Sequence, residues 1–185
     1  MNAWHLKRAL RVLQAGGVIA YPTEAVFGLG CRPDSATAVA RVLRMKGRAA
    51  DKGVILVASD VEQVRPLVES TRVPWDTVLP TWPGPVTWIL PAAPGVLPSW
   101  ITGGRAGVAV RVSAHPVVRA LCGAAGPLVS TSANPSNRPP ARNVLQVLGY
   151  FRGRVDLVVP GRLGGARRPS EIRDAISGRI LRKGG

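Results

Sequence analysis

The sequence predicts an α/β fold built on a mixed sheet. Helical periodicity alternates with short apolar strands in the first part of the chain, and the C-terminal part is rich in strands. The chain has 185 residues, 46% hydrophobic and 19% charged. That composition suits one domain spanning residues 1–185 with a buried core, and it excludes a disordered chain or a coiled coil.

The elements follow in order. A helix is expected over Ala3–Leu13, with apolar residues at Trp4, Leu6, Leu10 and Leu13, Asn2 as cap and Gly16 and Gly17 as stop. Val18–Tyr21 reads as a strand. Ser35 caps a second helix through Val39, Val42, Leu43 and Met45, and the apolar run Val54–Ala58 is a buried strand. Asp60 is expected to cap a third helix through Val61, Val64, Leu67 and Val68. Strands are expected at Val86–Leu90, Gly107–Val112, Leu128–Thr131 and Val155–Val159. Short helices are expected at Pro116–Cys122, with proline in the first turn, and at Val144–Leu148, capped by Asn143. Ile172–Ile176 and Arg179–Arg182, joined by Ser177 and Gly178, read as a closing hairpin.

No run approaches the roughly 18 consecutive apolar residues of a spanning helix, so a soluble chain with no membrane partner is expected. Lys7, Arg8 and Arg11 thread the N-terminal segment, and no small-residue cleavage site follows it, which argues against a secretory signal. The two cysteines, Cys31 and Cys122, stand far apart and outside any C-x-x-C. They encode neither a disulfide framework nor a zinc ribbon, and the cytoplasm is the expected compartment.

The net charge of +15 predicts affinity for polyanions or anionic small molecules. It is written with 21 arginines and four lysines beside abundant Ala, Gly, Pro and Val, a bias that a GC-rich genome also produces. Charge alone therefore does not decide the matter. The sequence has no G-x-x-x-x-G-K-[ST], no H-E-x-x-H and no G-x-S-x-G, and Gly28-Leu29-Gly30 lacks the third glycine of a dinucleotide fingerprint. His5 and His115 are the only imidazoles, which leaves little from which to build a serine triad. His115, just before Pro116, reads as structural.

Three segments stand out where the chain leaves a strand or helix. Tyr21-Pro22-Thr23-Glu24 brings a hydroxyl and a carboxylate past a buried strand, with Gly28 and Gly30 permitting close backbone approach. Taken alone, an ordinary strand-turn with glycine for geometry is the plainer reading. Lys46-x-Arg48-x-x-x-Lys52-Gly53 gathers half of the lysines into seven residues of a chain that otherwise uses arginine. Cations at a helix C-terminus are favourable without any ligand, but the lysine skew favours a clamp on polyphosphate oxygens. Ser130-Thr131-Ser132-Ala133-Asn134 places three hydroxyls and an amide after an apolar strand, where ligands bind in α/β sheets. A Ser/Asn-rich turn is the plainer alternative.

Together with Ala109-Val110-Arg111 and Pro169-Ser170-Glu171-Ile172, these ordered segments resemble the YrdC family, from about Gly17 to Arg182. The resemblance implies an open, twisted mixed sheet with flanking helices and a positively charged concave face. The chain stops where the short bacterial form stops, so the extra C-terminal domain of the longer form is not expected. The implied activity joins L-threonine, bicarbonate and ATP into L-threonylcarbamoyl-adenylate and pyrophosphate. A downstream transferase complex then modifies adenosine 37 of tRNA.

Carried over by position, Lys46 and Arg48 resemble the catalytic cations, and Lys46, Arg48, Lys52, Ser132, Asn134 and Arg182 resemble ATP contacts. Arg111 resembles the arginine that holds the threonine carboxylate, with Thr23, Ser130 and Ser170 completing the amino-acid pocket. Mg2+ is expected to accompany ATP, held by phosphates and water, since no Asp/Glu cluster supplies a cage. Ala25 and Val57 depart from the Thr and His often present in longer members, so those contacts to threonine are missing here. A non-catalytic RNA-binding module of the same fold is the alternative, and direct tRNA binding is compatible with either reading. The aromatic content of 5% offers few stacking platforms for such a module. A third reading, the carbamoyl-handling portion of hydrogenase maturation proteins, lacks its accompanying zinc-finger segments. Arg162, Arg167 and Arg168 form either an RNA-facing patch or, on the plainer reading, a solvated loop.

Overall fold

The computed structural model describes residues 1–166 and 168–184. α1 (Ala3–Gln14) begins where the Asn2 side chain accepts the His5 amide at 2.9 Å, and it ends just before left-handed Gly16. β1 (Ile19–Pro22) turns through residues 23–26 into β2 (Phe27–Cys31), with Ile19 opposite Gly30 and Pro22 opposite Phe27. Ser35 caps α2 (Ala36–Lys46), and Gly47 at φ 60° closes it. β3 (Ile55–Ala58), the one-turn α3 (Trp75–Val78), β4 (Val86–Pro91) and the one-turn α4 (Ser99–Thr102) follow. Next come β5 (Gly107–Val112), α5 (Pro116–Ala125), β6 (Leu128–Ser132) and α6 (Val144–Phe151). The chain closes with β7 (Leu157–Val158), β8 (Glu171–Asp174) and β9 (Ile180–Arg182).

Among the described residues the strands form a single sheet in the order β7-β1-β2-β6-β3-β5-β4-β8-β9. Three pairs, β1–β7, β3–β5 and β4–β8, are parallel and the others antiparallel, so the sheet is mixed and open at both ends. Side chains alternate between its faces. Ala20, Leu56 and Ala58 join Val39, Val42 and Leu43 of α2 and Val147 and Phe151 of α6 in one cluster. Ile19, Tyr21 and Val57 join Ala9 and Leu13 of α1 and Val118 and Leu121 of α5 in the other. Each fully buried Leu or Phe in these layers contributes about 1.5–3 kcal/mol relative to exposure.

The structure departs from the sequence reading in four places. The helix expected after Asp60 does not form: Asp60 accepts the Gln63 amide, but only a 3-10 turn at Arg65–Leu67 follows. Pro66 removes a donor and disfavours helical geometry at Arg65. β2 is a full strand, where the sequence offers only a strand-turn with glycines at 28 and 30. Gly30 is required there, since a Cβ would lie 2.6 Å from the Tyr21 ring. The closing hairpin has shorter strands, because Asp174 Oδ1 accepts the Ile176 and Ser177 amides and bends the chain early. The strand expected at Val155–Val159 is confined to Leu157–Val158.

Candidate functional site

α1 and α5 cover only part of their face of the sheet. The uncovered remainder is the floor of a cavity of about 490 Å³. Register explains the floor. Ser130 of β6 lies opposite Ile55 of β3, Ile55 opposite Ala109 of β5, and Ala109 opposite Ile89 of β4, one row of residues that all line the cavity. Two residues on, Val57 lies opposite Arg111, and Gly28 lies opposite Ser132.

The rim is cationic. Lys46, Arg48, Lys52, Arg105, Arg111, Arg168 and Arg182 line the cavity, against one carboxylate, Glu24. Lys46 is buried at the end of α2, where its ammonium donates to the carbonyls of Ser132 at 2.5 Å and Asn134 at 2.8 Å. It also reaches Asn134 Oδ1 at 3.3 Å, while the Asn134 amide nitrogen donates to the Pro135 and Arg138 carbonyls. The lysine thus ties the Ser-Thr-Ser-Ala-Asn segment to α2. Arg48 donates to the Gly53 carbonyl through Nε and Nη2 and closes the 48–53 loop. Gly53, at φ 60°, permits that closure: a Cβ there would press within 2.9 Å of the Ile101 and Thr102 carbonyls.

Burial pushes the Lys46 pKa down to about 8, and the Arg48 charge adds to the shift. Burial, then Arg105, lowers Arg48; burial, then Arg111 and Arg48, lowers Arg182. These cations repel one another across the cavity, which is the electrostatic state that a polyanion relieves.

Arg111 and Glu24 form a partly separate unit. Both are nearly buried, 9% and 13% exposed by side chain, with Nη1 and Oε2 3.2 Å apart. The distance makes an ion pair, yet Oε2 and Arg111 Nε have no aligned hydrogen bond. Burial acts to raise the Glu24 pKa, but Arg111 and the Ser113 hydroxyl outweigh it and hold the carboxyl below its usual value. Thr23 Oγ1 donates to Val26 O at 2.7 Å and staples the β1–β2 turn. Ser170 meets Thr87 at 2.9 Å, and Arg182 donates to the Ser170 carbonyl at 2.7 Å, so β9 carries its arginine to the rim.

All ten of the site residues expected from the sequence line this one cavity. Ala25 and Val57 line it as well. His115 does not. Its Nδ1 accepts the Val117 amide and its Nε2 lies 3.1 Å from the Arg162 carbonyl, which assigns the proton to Nε2 and a capping role to the ring. Arg162 and Arg168 are exposed, and Arg168 reaches the cavity wall; Arg167 lies outside the described residues. Sequence reasoning missed Arg105, one arginine among 21 with only a preceding Gly-Gly to mark it. It also missed Ser136, whose hydroxyl donates to the Lys46 carbonyl at 2.6 Å.

The Sua5/YciO/YrdC family model, described as "Telomere recombination", matches residues 11–184. A Pseudomonas fluorescens protein named threonylcarbamoyl-AMP synthase is 53% identical over 183 residues, covering 98% of each chain. The crystal structure of P. abyssi Sua5 complexed with L-threonine superposes with a TM-score of 0.92 at 31% identity. That match covers all of this chain and 55% of the P. abyssi protein, so this chain spans about half of its length. E. coli YciO superposes with a TM-score of 0.84 at 25% identity, over 97% of this chain and 88% of that one. With the match running through the strands, the cation loop and the closing hairpin that build the cavity, the chain belongs to the Sua5/YciO/YrdC family.

Proposed function

We propose that the chain is a threonylcarbamoyl-AMP synthase, joining L-threonine, bicarbonate and ATP into L-threonylcarbamoyl-adenylate and pyrophosphate. The observation that carries this reading is the division of one cavity into two unlike halves. One half has cations short of an anionic partner, suited to a triphosphate; the other has a nearly buried guanidinium, suited to a single carboxylate. The full-length likeness to proteins named threonylcarbamoyl-AMP synthase supports the same reading.

Lys46, Arg48, Lys52 and Arg182, with the Ser132 and Asn134 loop, are assigned to ATP. Arg105 is added to that set from its place on the wall. Arg111 is assigned to the threonine carboxylate, with Thr23, Ser130 and Ser170 around it. The threonine amine captures CO2 from bicarbonate as a carbamate, whose oxygen attacks the α-phosphorus as pyrophosphate leaves. Lys46 and Arg48 stabilise the charge that develops on the phosphates, and the shared cavity supplies proximity. Mg2+ accompanies the nucleotide. The ion is assigned to the phosphates and water, because Arg111 and Ser113 engage Glu24, the carboxylate that lines the cavity. The adenylate passes to a tRNA-modifying transferase complex, and the net charge of +15 favours contact with tRNA itself. A cytoplasmic location agrees with these partners, and no helix among the described residues is long and apolar enough to cross a membrane.

Mass spectrometry of a reaction with ATP, Mg2+, L-threonine and bicarbonate tests the assignment. The expected product is threonylcarbamoyl-adenylate; ATP turnover to a different adenylate would contradict it.

A further inference from the structure

Ser113 lies just beyond β5, fully buried and absent from the cavity wall, yet it is aimed at the site. Its hydroxyl donates to Glu24 Oε1 at 2.6 Å and accepts the His115 amide at 3.1 Å. The other Glu24 oxygen faces Arg111 Nη1 at 3.2 Å. The Glu24 turn is also clasped through its backbone. Gly164 N donates to Thr23 O at 3.0 Å and Ala166 N to Glu24 O at 2.9 Å. Gly164 must be glycine for that approach, since a Cβ would stand 2.9 Å from Glu24 Cα.

A hydroxyl beyond the reach of any ligand thus fixes a carboxylate, and the carboxylate sets the position of the guanidinium on the wall. We propose that Ser113 and Glu24 are positioning residues that hold Arg111 in the orientation that receives the substrate carboxylate. This role rests on the synthase reading. A buried pair without an aligned hydrogen bond is poor value for stability; its geometric effect is to deny the long arginine side chain its other rotamers.

Glu24 acts on the substrate in two opposed ways. Orienting Arg111 favours the incoming carboxylate, whereas the Glu24 charge opposes it. Ser113→Ala separates the two effects, because it retains the charge and removes the bond that fixes it. Glu24→Gln does the reverse, retaining an acceptor for Ser113 while removing the ion pair.

The test measures binding of L-threonine and of ATP to the full chain by calorimetry, beside steady-state kinetics. Ser113→Ala should weaken threonine binding about tenfold, with ATP affinity and kcat within about twofold. Ser113→Cys, which keeps a poorer donor, should fall between. Glu24→Gln should also weaken threonine binding. Unchanged threonine affinity in folded Ser113→Ala overturns the proposal, as does equal loss of both ligands, which is the mark of general damage. Tighter threonine binding in Glu24→Gln overturns it too, since charge rather than orientation would then dominate. Should Ser113→Ala fail to fold, Glu24→Gln decides by the same readouts. Wild-type chain that binds ATP but not L-threonine removes the synthase reading, and this role with it.

Discussion

The ammonium of Lys46, at the end of α2, lies 2.8 Å from the carbonyl of Asn134, beyond β6 and 88 residues away in sequence. Two segments that looked independent are one device: the lysine holds the loop that carries Ser132 and Asn134 against the cation cluster. Lys46→Ala should therefore lose activity and stability together. Leaving those carbonyls without their donor costs about 1–3 kcal/mol, to be read from chemical denaturation.

Arg48 is predicted to behave differently. It is half-buried and bonds its own loop at the Gly53 carbonyl, so Arg48→Ala should leave the fold nearly intact. The kcat/KM for ATP should fall about 100-fold or more, roughly 2.7 kcal/mol of transition-state stabilisation. Near-normal kinetics in Arg48→Ala would refute the phosphate clamp.

The pH dependence follows from Lys46. With its pKa pushed down to about 8, the ammonium loses its proton as pH rises through that value. The charged form is the one that meets phosphate, so kcat/KM for ATP should decline above about 8. In the nucleotide complex the phosphate charge favours the ammonium, so the decline in kcat should move to higher pH. A kcat/KM that stays flat one unit above that value contradicts the role given to Lys46.

Two glycines of β2 give a stability contrast. A Cβ on Gly30 would lie 2.6 Å from the Tyr21 ring and 2.7 Å from the Val129 carbonyl. A Cβ on Gly28 would find Ser130 Oγ and Thr23 Cγ2 at 3.4 Å, ordinary contact. Gly30→Ala should destabilise by roughly 1–3 kcal/mol. Gly28→Ala should change stability by less than about 0.5 kcal/mol, while narrowing the cavity that Gly28 lines. Urea melts of the two variants check the ordering.

Strong local signals were the legible ones. Asn2, Ser35 and Asn143 each accept an amide at the start of the helix expected behind them. The apolar runs at residues 54–58 and 107–112 become adjacent parallel strands β3 and β5. Obscured elements were those where tertiary packing overrides local preference, above all β2, whose glycines accommodate Tyr21 from the neighbouring strand. In the site, the lysine skew marked Lys46 and Lys52, but nothing local distinguishes Arg105 or ties Ser113 to Glu24, 89 residues away. Such pairs are legible only once the register of the sheet is known.

The most direct test of the synthase assignment is pyrophosphate release by the purified chain with ATP and Mg2+, with L-threonine and bicarbonate each supplied or omitted. Pyrophosphate should be released only when both are present. Release that ignores either substrate, or none at all despite tight ATP binding, would contradict it.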